Sequence, residues 1–356
     1  NVAIGYDALS TEDGNGLNVA IGYAALKTQN AGANAYNVAI GFEAGKLVST
    51  GIYNTLIGGL AGTALTTGSG NTILGNQAGD ALTTGNNNVA IGYLALSTED
   101  EHGGNIAMGA GALQVQNAGA HAYNVAVGHN AGTTVSTGVQ NTLIGGRAGD
   151  ALTTGSYNIA IGMDALTIED TGSRSVAIGT NALFNQNYDG DAYNVAIGMS
   201  AGSQITTGVQ NVIVGGLAGD ALTTGGGNVA MGYQALTTAN TDESQNVAIG
   251  NYALNAMDNG STTNTHNTAL GYYSGVAVTT GIQNTLLGAL AGDAITTGGN
   301  NMVIGYNAAA SAVDVSNEIT LGDANISAFR CADQSIAALS DGRDKSEVEE
   351  SPYGLE

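Results

Sequence analysis

A pentapeptide of the form Asn-Val-Ala-Ile-Gly opens the chain and returns throughout it. Identical copies begin at Asn1, Asn18, Asn37, Asn88, Asn194 and Asn246, and close variants bring the number to 19, ending with residues 318–322. Most copies are 17 residues apart. A short fixed period of this kind constrains the fold more than any other feature, because one unit is too small to enclose a core and must stack on its neighbours. Within the motif the second and fourth residues share one face of a strand and the third points to the other. The fourth is apolar in all 19 copies, and the second is Val, Ile or Met in 14 and Thr in five. These shapes favour strands. The reading places the fourth-position column (Ile4, Ile21, Ile40 and onward) against the core. The third position, usually Ala but Leu or Ile at Leu56, Ile73, Leu143, Ile213 and Leu286, would then face a second buried surface, in the same coil or in another chain. Glycine follows each strand and permits a tight corner. A second short strand is expected after it, over residues 6–9 in the first coil.

The fold class predicted is all-β: a parallel left-handed β-roll or β-solenoid of about 19 coils, roughly 90 Å long at ~4.8 Å per coil. The recurring Asn fits a corner, either as a stacked amide ladder or as a residue tolerant of turn geometry. The domain organisation read from the chain is a repeat shaft over 1–322, a fibre junction over 323–339 and the start of a different domain over 340–356. The chain opens in mid-motif without Met, which reads as a piece of a longer protein. Over the short period lies a longer one. The octapeptide at 78–85 recurs identically at 148–155 and 218–225 and with one change at 291–298, about every four coils. Each block carries one swollen corner, at 29–36, 116–123, 185–193 and 256–266. Insertions along one edge of an array are often its binding face. Candidate ligand contacts are therefore Asn34, Tyr36, His121, Tyr123, Tyr188 and Tyr193.

Composition removes several functions. A formal charge of −22 with only seven Lys and Arg opposes binding to nucleic-acid backbones. Residues 47–79 carry no charge but are rich in Gly, Thr and Asn, so membrane insertion is not expected. A single cysteine, Cys331, excludes an intrachain disulfide. Asp80, Asp150, Asp220 and Asp293 occupy equivalent corners about 19 Å apart, too far to share an ion. His102, His121, His129 and His266 lack metal-ligand spacing, so no metal and no cofactor is called for. No triad, carboxylate pair or phosphate loop is present, so no turnover enzyme is expected.

The repeated coils resemble the head repeats of trimeric autotransporter adhesins, in which three left-handed parallel β-rolls associate around an axis. The stretch 319–326, followed by Phe329-Arg330-Cys331 and by residues 338–345 (Ala-Leu-Ser-Asp-Gly-Arg-Asp-Lys), is similar to the junction between a phage tail fibre and an endosialidase-type intramolecular chaperone. That resemblance implies self-cleavage between Leu339 and Ser340 in a longer precursor, with Ser340 as nucleophile and Lys345 as its base. It further implies a homotrimeric fibre in an extracellular virion tail, with other tail proteins and a host-surface glycan or protein as partners. The competing expectation is the head of a bacterial trimeric adhesin.

Overall fold

In the computed structural model, which describes residues 1–14, 16–239, 243–260 and 264–328, the chain is a parallel β-solenoid. Among the described residues, nineteen three-residue strands run from β1 (Val2–Ile4) to β19 (Ile319–Leu321). Each pairs in parallel with the next at fixed register, as in Val2↔Val19, Ala3↔Ala20 and Ile4↔Ile21, through to Met302↔Ile319. Among the described residues there is no helix. One compact unit spans Asn1–Asp323.

The faces of the strands are the reverse of the sequence expectation. The third position lies inside: Ala20, Ala39, Leu56, Ile73, Ala160 and Leu143 are all fully buried. The second and fourth positions lie outside and half covered, with Ile144 and Ile159 each 37% exposed. The expected second strand is also absent. Residues 6–11 form successive turns, with left-handed backbone at Asp7 (φ 58°) and Leu9 (φ 49°). No run of extended backbone survives such an alternation. These turns still bond coil to coil, as when Ala24 N donates to Tyr6 O at 2.8 Å.

The interior is narrow, and its packing explains the reversal. Facing the third position is the ninth, which is Leu or Gly in every coil but the last two. Wherever the third is Leu or Ile, the ninth is Gly: Leu56 with Gly62, Ile73 with Gly79, Leu143 with Gly149, Ile213 with Gly219 and Leu286 with Gly292. A Cβ on Gly149 would stand 2.8 Å from Leu143 Cδ2. Where the third is Ala, Leu commonly fills the space from the ninth, as with Ala160 and Leu166. Large and small thus alternate across the coil to hold interior density. The "second buried surface" behind the third position is therefore the coil's own lumen.

The Asn column is a ladder. Asn141 N donates to Asn124 Oδ1 at 2.8 Å, and Asn158 N donates to Asn141 Oδ1 at 2.9 Å. The Asn141 amide donates in turn to Gly155 O at 2.9 Å. The side chains are fully buried, so both ends of the amide satisfy backbone that would otherwise be orphaned. The motif glycine closes the strand for a different reason. Gly145 holds φ 135°, and a Cβ there would fall 2.4 Å from Gly162 O. No L-residue fits that approach.

Candidate functional site

The outer face of the sheet is a continuous surface that runs across all the paired strands. Its second and fourth positions are Val, Ile, Leu, Met or Thr in every copy and carry no charge. Aromatic columns flank it. Tyr6, Tyr23 and Phe42, just after the motif glycine, stack at centroid distances of 5.6 Å and 5.3 Å. On the other flank, just before the Asn, Tyr36 stacks on Tyr53 at 5.5 Å. Arg174 stands between the rings of Tyr157 and Tyr193, at 5.0 Å and 5.9 Å. The parallel register sets these columns, since equivalent residues in successive coils lie about 4.8 Å apart.

The swollen corners place the sequence-predicted contacts as follows. Asn34 and Tyr36 are exposed together on the first loop. His121 and Tyr123 are exposed on the second, rings 5.9 Å apart, and the Tyr123 ring lies over Gly104 of the preceding coil. On the third loop Tyr188 is half-buried and Tyr193 is 50% exposed, its hydroxyl donating to Asp191 at 3.1 Å. Tyr188 lines a shallow polar groove with Asp170, Asn187, Asp189 and Thr207. The first two loops are five coils apart and the next two four, about 24 and 19 Å, so the fold brings contacts together within loops and not between them. Ser340, Lys345, the Leu339–Ser340 bond and Cys331 lie outside the described residues.

At or next to the start of each loop a residue turns inward, which the sequence reading missed. Gln29, Gln116, Gln186 and Met257 are fully buried at the twelfth position of their coils, a column otherwise filled by Leu65, Leu82, Val135, Leu152, Ile205 and similar residues. Glu12, Glu99 and Glu169 occupy the same column one coil earlier than the three glutamines. The buried glutamine takes a second bond from the Asn amide of the next coil: Gln116 Oε1 accepts from Asn124 at 2.6 Å and Gln186 Oε1 from Asn194 at 2.8 Å, while the same amides keep their bonds to Gly138 O and Gly208 O. Aligning the twelfth positions down the repeat would have exposed this column, because a polar pair interrupts an apolar run.

The carboxylates in this column feel their burial. Desolvation raises Glu169 above the ordinary glutamate range, against hydrogen bonds from Gln186, Gly172 and Tyr188 that pull it down. Desolvation likewise raises Glu99, opposed by the His102 backbone N–H and by the His102 charge. Burial raises the corner residues Asp80, Asp150 and Asp220 as well. The histidines are less scattered than their spacing implied. Glu99, Asp100 and His102 bring ligand atoms within 4.8 Å of one another.

Every Lys and Arg among the described residues faces a carboxylate: Lys27 with Asp7, Lys46 with Glu43, Arg147 with Asp164 and Arg174 with Asp191. No basic patch is left among them for a polyanion. No protein-family model matches the chain, and no curated protein matches it.

Proposed function

We propose that this chain is a structural segment of a homotrimeric phage tail fibre, an extracellular virion component that extends from the particle and attaches it to a host surface. The coils are left-handed on this reading. The observation that carries the proposal is the outer strand face: an apolar, charge-free strip repeated on 19 strands of a chain whose net charge is −22. A long exposed apolar strip marks an interaction surface. Copies of so acidic a chain repel one another everywhere except along such a strip, so the strip fits other copies of this chain. The solenoid and the resemblance of residues 319–345 to a fibre–chaperone junction support the same assignment. In that setting Ser340 and Lys345 would release the chaperone once, after assembly, and no turnover follows. Attachment would use the exposed loop residues Tyr36, Tyr123 and Tyr193 and the groove at Tyr188 against a glycan or protein receptor. Three chains multiply weak contacts into avidity without a deep pocket.

Sedimentation and light scattering test the assembly. A trimer of this 35.2 kDa chain has a mass near 106 kDa and the frictional ratio of a rod. Ile144→Asp and Ile161→Asp together, on the outer face, should dissociate it while far-ultraviolet circular dichroism keeps the β signal. A monodisperse monomer of the wild-type protein would refute the proposal.

A further inference from the structure

We propose that Glu99, Asp100 and His102 form a binding site for one divalent transition ion of the zinc class, at the corner of the coil that begins at Asn88. Glu99 is fully buried. Its Oε1 accepts from the His102 backbone N–H at 3.1 Å, while its Oε2 has no protein partner. His102 Nδ1, also shielded and without a hydrogen-bond partner, lies 3.5 Å from Glu99 Oε1. A fully buried carboxylate oxygen left open is costly unless something binds it.

What is particular to this corner is the imidazole beside the open oxygen. Glu12, in the same column, also leaves its Oε1 without a partner but is followed three residues on by Asn15, and in the next block the carboxylate is closed. Glu169 occupies the same position and accepts the equivalent backbone bond, from Gly172 N at 2.7 Å. Its Oε2 accepts from Gln186 Nε2 at 2.9 Å and from Tyr188 N at 3.3 Å. At Glu99 the corresponding glutamine, Gln116, turns its Nε2 away to Ser136 O at 3.2 Å. The residue three beyond the carboxylate is His102 here and Gly172 there. The same scaffold is therefore closed by protein donors at Glu169, and is both open and furnished with an imidazole at Glu99.

Neighbouring contacts hold the open site in shape. Asp100 O accepts from Thr83 N at 2.6 Å and from Thr83 Oγ1 at 2.7 Å. His121 Nδ1 accepts from Gly103 N at 3.1 Å, which fixes the backbone beside His102, and its ring meets His102 edge-on at 6.3 Å. Two carboxylates and one imidazole suit zinc or manganese better than a soft ion. Metal–ligand lengths of about 2.1 Å need donor atoms roughly 3.4 Å apart. Asp100 and His102 are both half exposed and can close by that margin around the fixed Glu99, with water filling the remaining positions.

Protein stripped with a chelator and titrated with zinc chloride should bind one equivalent per chain by calorimetry and by elemental analysis after dialysis. Its melting temperature should rise with zinc. Cobalt chloride should give a visible absorption band of four- or five-coordinate character. Glu99→Gln and His102→Ala should each lower zinc affinity at least tenfold with an unchanged circular dichroism spectrum. Glu169→Gln and His129→Ala should leave the stoichiometry intact. Absence of zinc binding at 100-fold molar excess would overturn the proposal. So would binding that survives His102→Ala undiminished, or a zinc equivalent lost on His129→Ala.

Discussion

Two asparagines that look alike in the repeat should differ sharply on truncation. Asn141 and Asn105 are both fully buried, so Asn→Ala removes the same atoms from the same kind of surroundings at each. At Asn141 the change orphans two backbone groups: Asn158 N–H, which gives its bond to Oδ1 at 2.9 Å, and Gly155 C=O, which takes one from Nδ2 at 2.9 Å. At Asn105 only Asn124 N–H is orphaned, from a longer bond of 3.2 Å, and a buried Nδ2 that already lacks a partner is removed. A buried polar group without a partner costs about 1–3 kcal/mol. Asn141→Ala should therefore cost about 2–6 kcal/mol and Asn105→Ala about 0–2 kcal/mol. Cavity terms nearly cancel in the comparison. Because repeat arrays need not unfold in one step, native-state hydrogen exchange is the suitable assay. It should be read at amides 142 and 159 for the first variant and at 106 and 125 for the second. Equal losses of protection, or a greater loss for Asn105→Ala, would refute the ladder as the source of the asparagine's value.

The lumen gives a second test. Leu143→Ala alone should cost about 2–5 kcal/mol through its cavity, and Gly149→Leu alone about 1–3 kcal/mol or more through overpacking. The double variant reproduces the Ala160 and Leu166 arrangement of the next coil, so urea denaturation should show it more stable than either single change. Simple additivity would contradict the packing account. The pH dependence of stability follows from the buried carboxylates. Glu99, Glu169, Asp80, Asp150 and Asp220 are raised above their ordinary range by burial, so the folded state binds more protons than the unfolded one. Stability should be fullest below the unfolded carboxylate values of about 4 and should fall as pH rises from there through the raised folded values. In chelator, the melting temperature should be higher at pH 5 than at pH 7, and Glu99→Gln should flatten that slope. A melting temperature that climbs with pH over this range would show the sign to be wrong.

Period, strand positions and parallel stacking could be read from the residues, because the Asn-to-Gly spacing repeats through all 19 copies. The direction of the strand faces could not. Alternation says which side chains share a face, and here both faces are apolar. What decides is the width of the lumen, which admits Ala20 or Ala160 from the strand only because Leu26 or Leu166 fills it from the opposite turn. That turn was itself hidden. Leu166 and Leu183 adopt φ near 50°, a conformation that leucine seldom takes, so the stretch read as a strand. Tyr36, Tyr123 and Tyr193 of the loops are exposed, while Gln29, Gln116 and Gln186 near the start of the same loops turn inward, which the sequence reading did not foresee. Turned inward, they accept from the Asn amide of the next coil, a partner that no local pattern encodes. The trio at Glu99, Asp100 and His102 was hidden for a related reason. Its ligand atoms converge through the shape of one turn, and no recognised sequence spacing announces it.

The fixed join between successive windings has an evolutionary consequence. Most units present the same amide, the same carbonyl and the same glycine to the one above as to the one below. A gene duplication or deletion of one regular 17-residue unit therefore leaves the seam chemically unchanged. The reach of such a molecule can lengthen or shorten in steps of about 5 Å without redesign of any neighbour, whereas a gain or loss of a single residue within a strand would throw every rung out of phase.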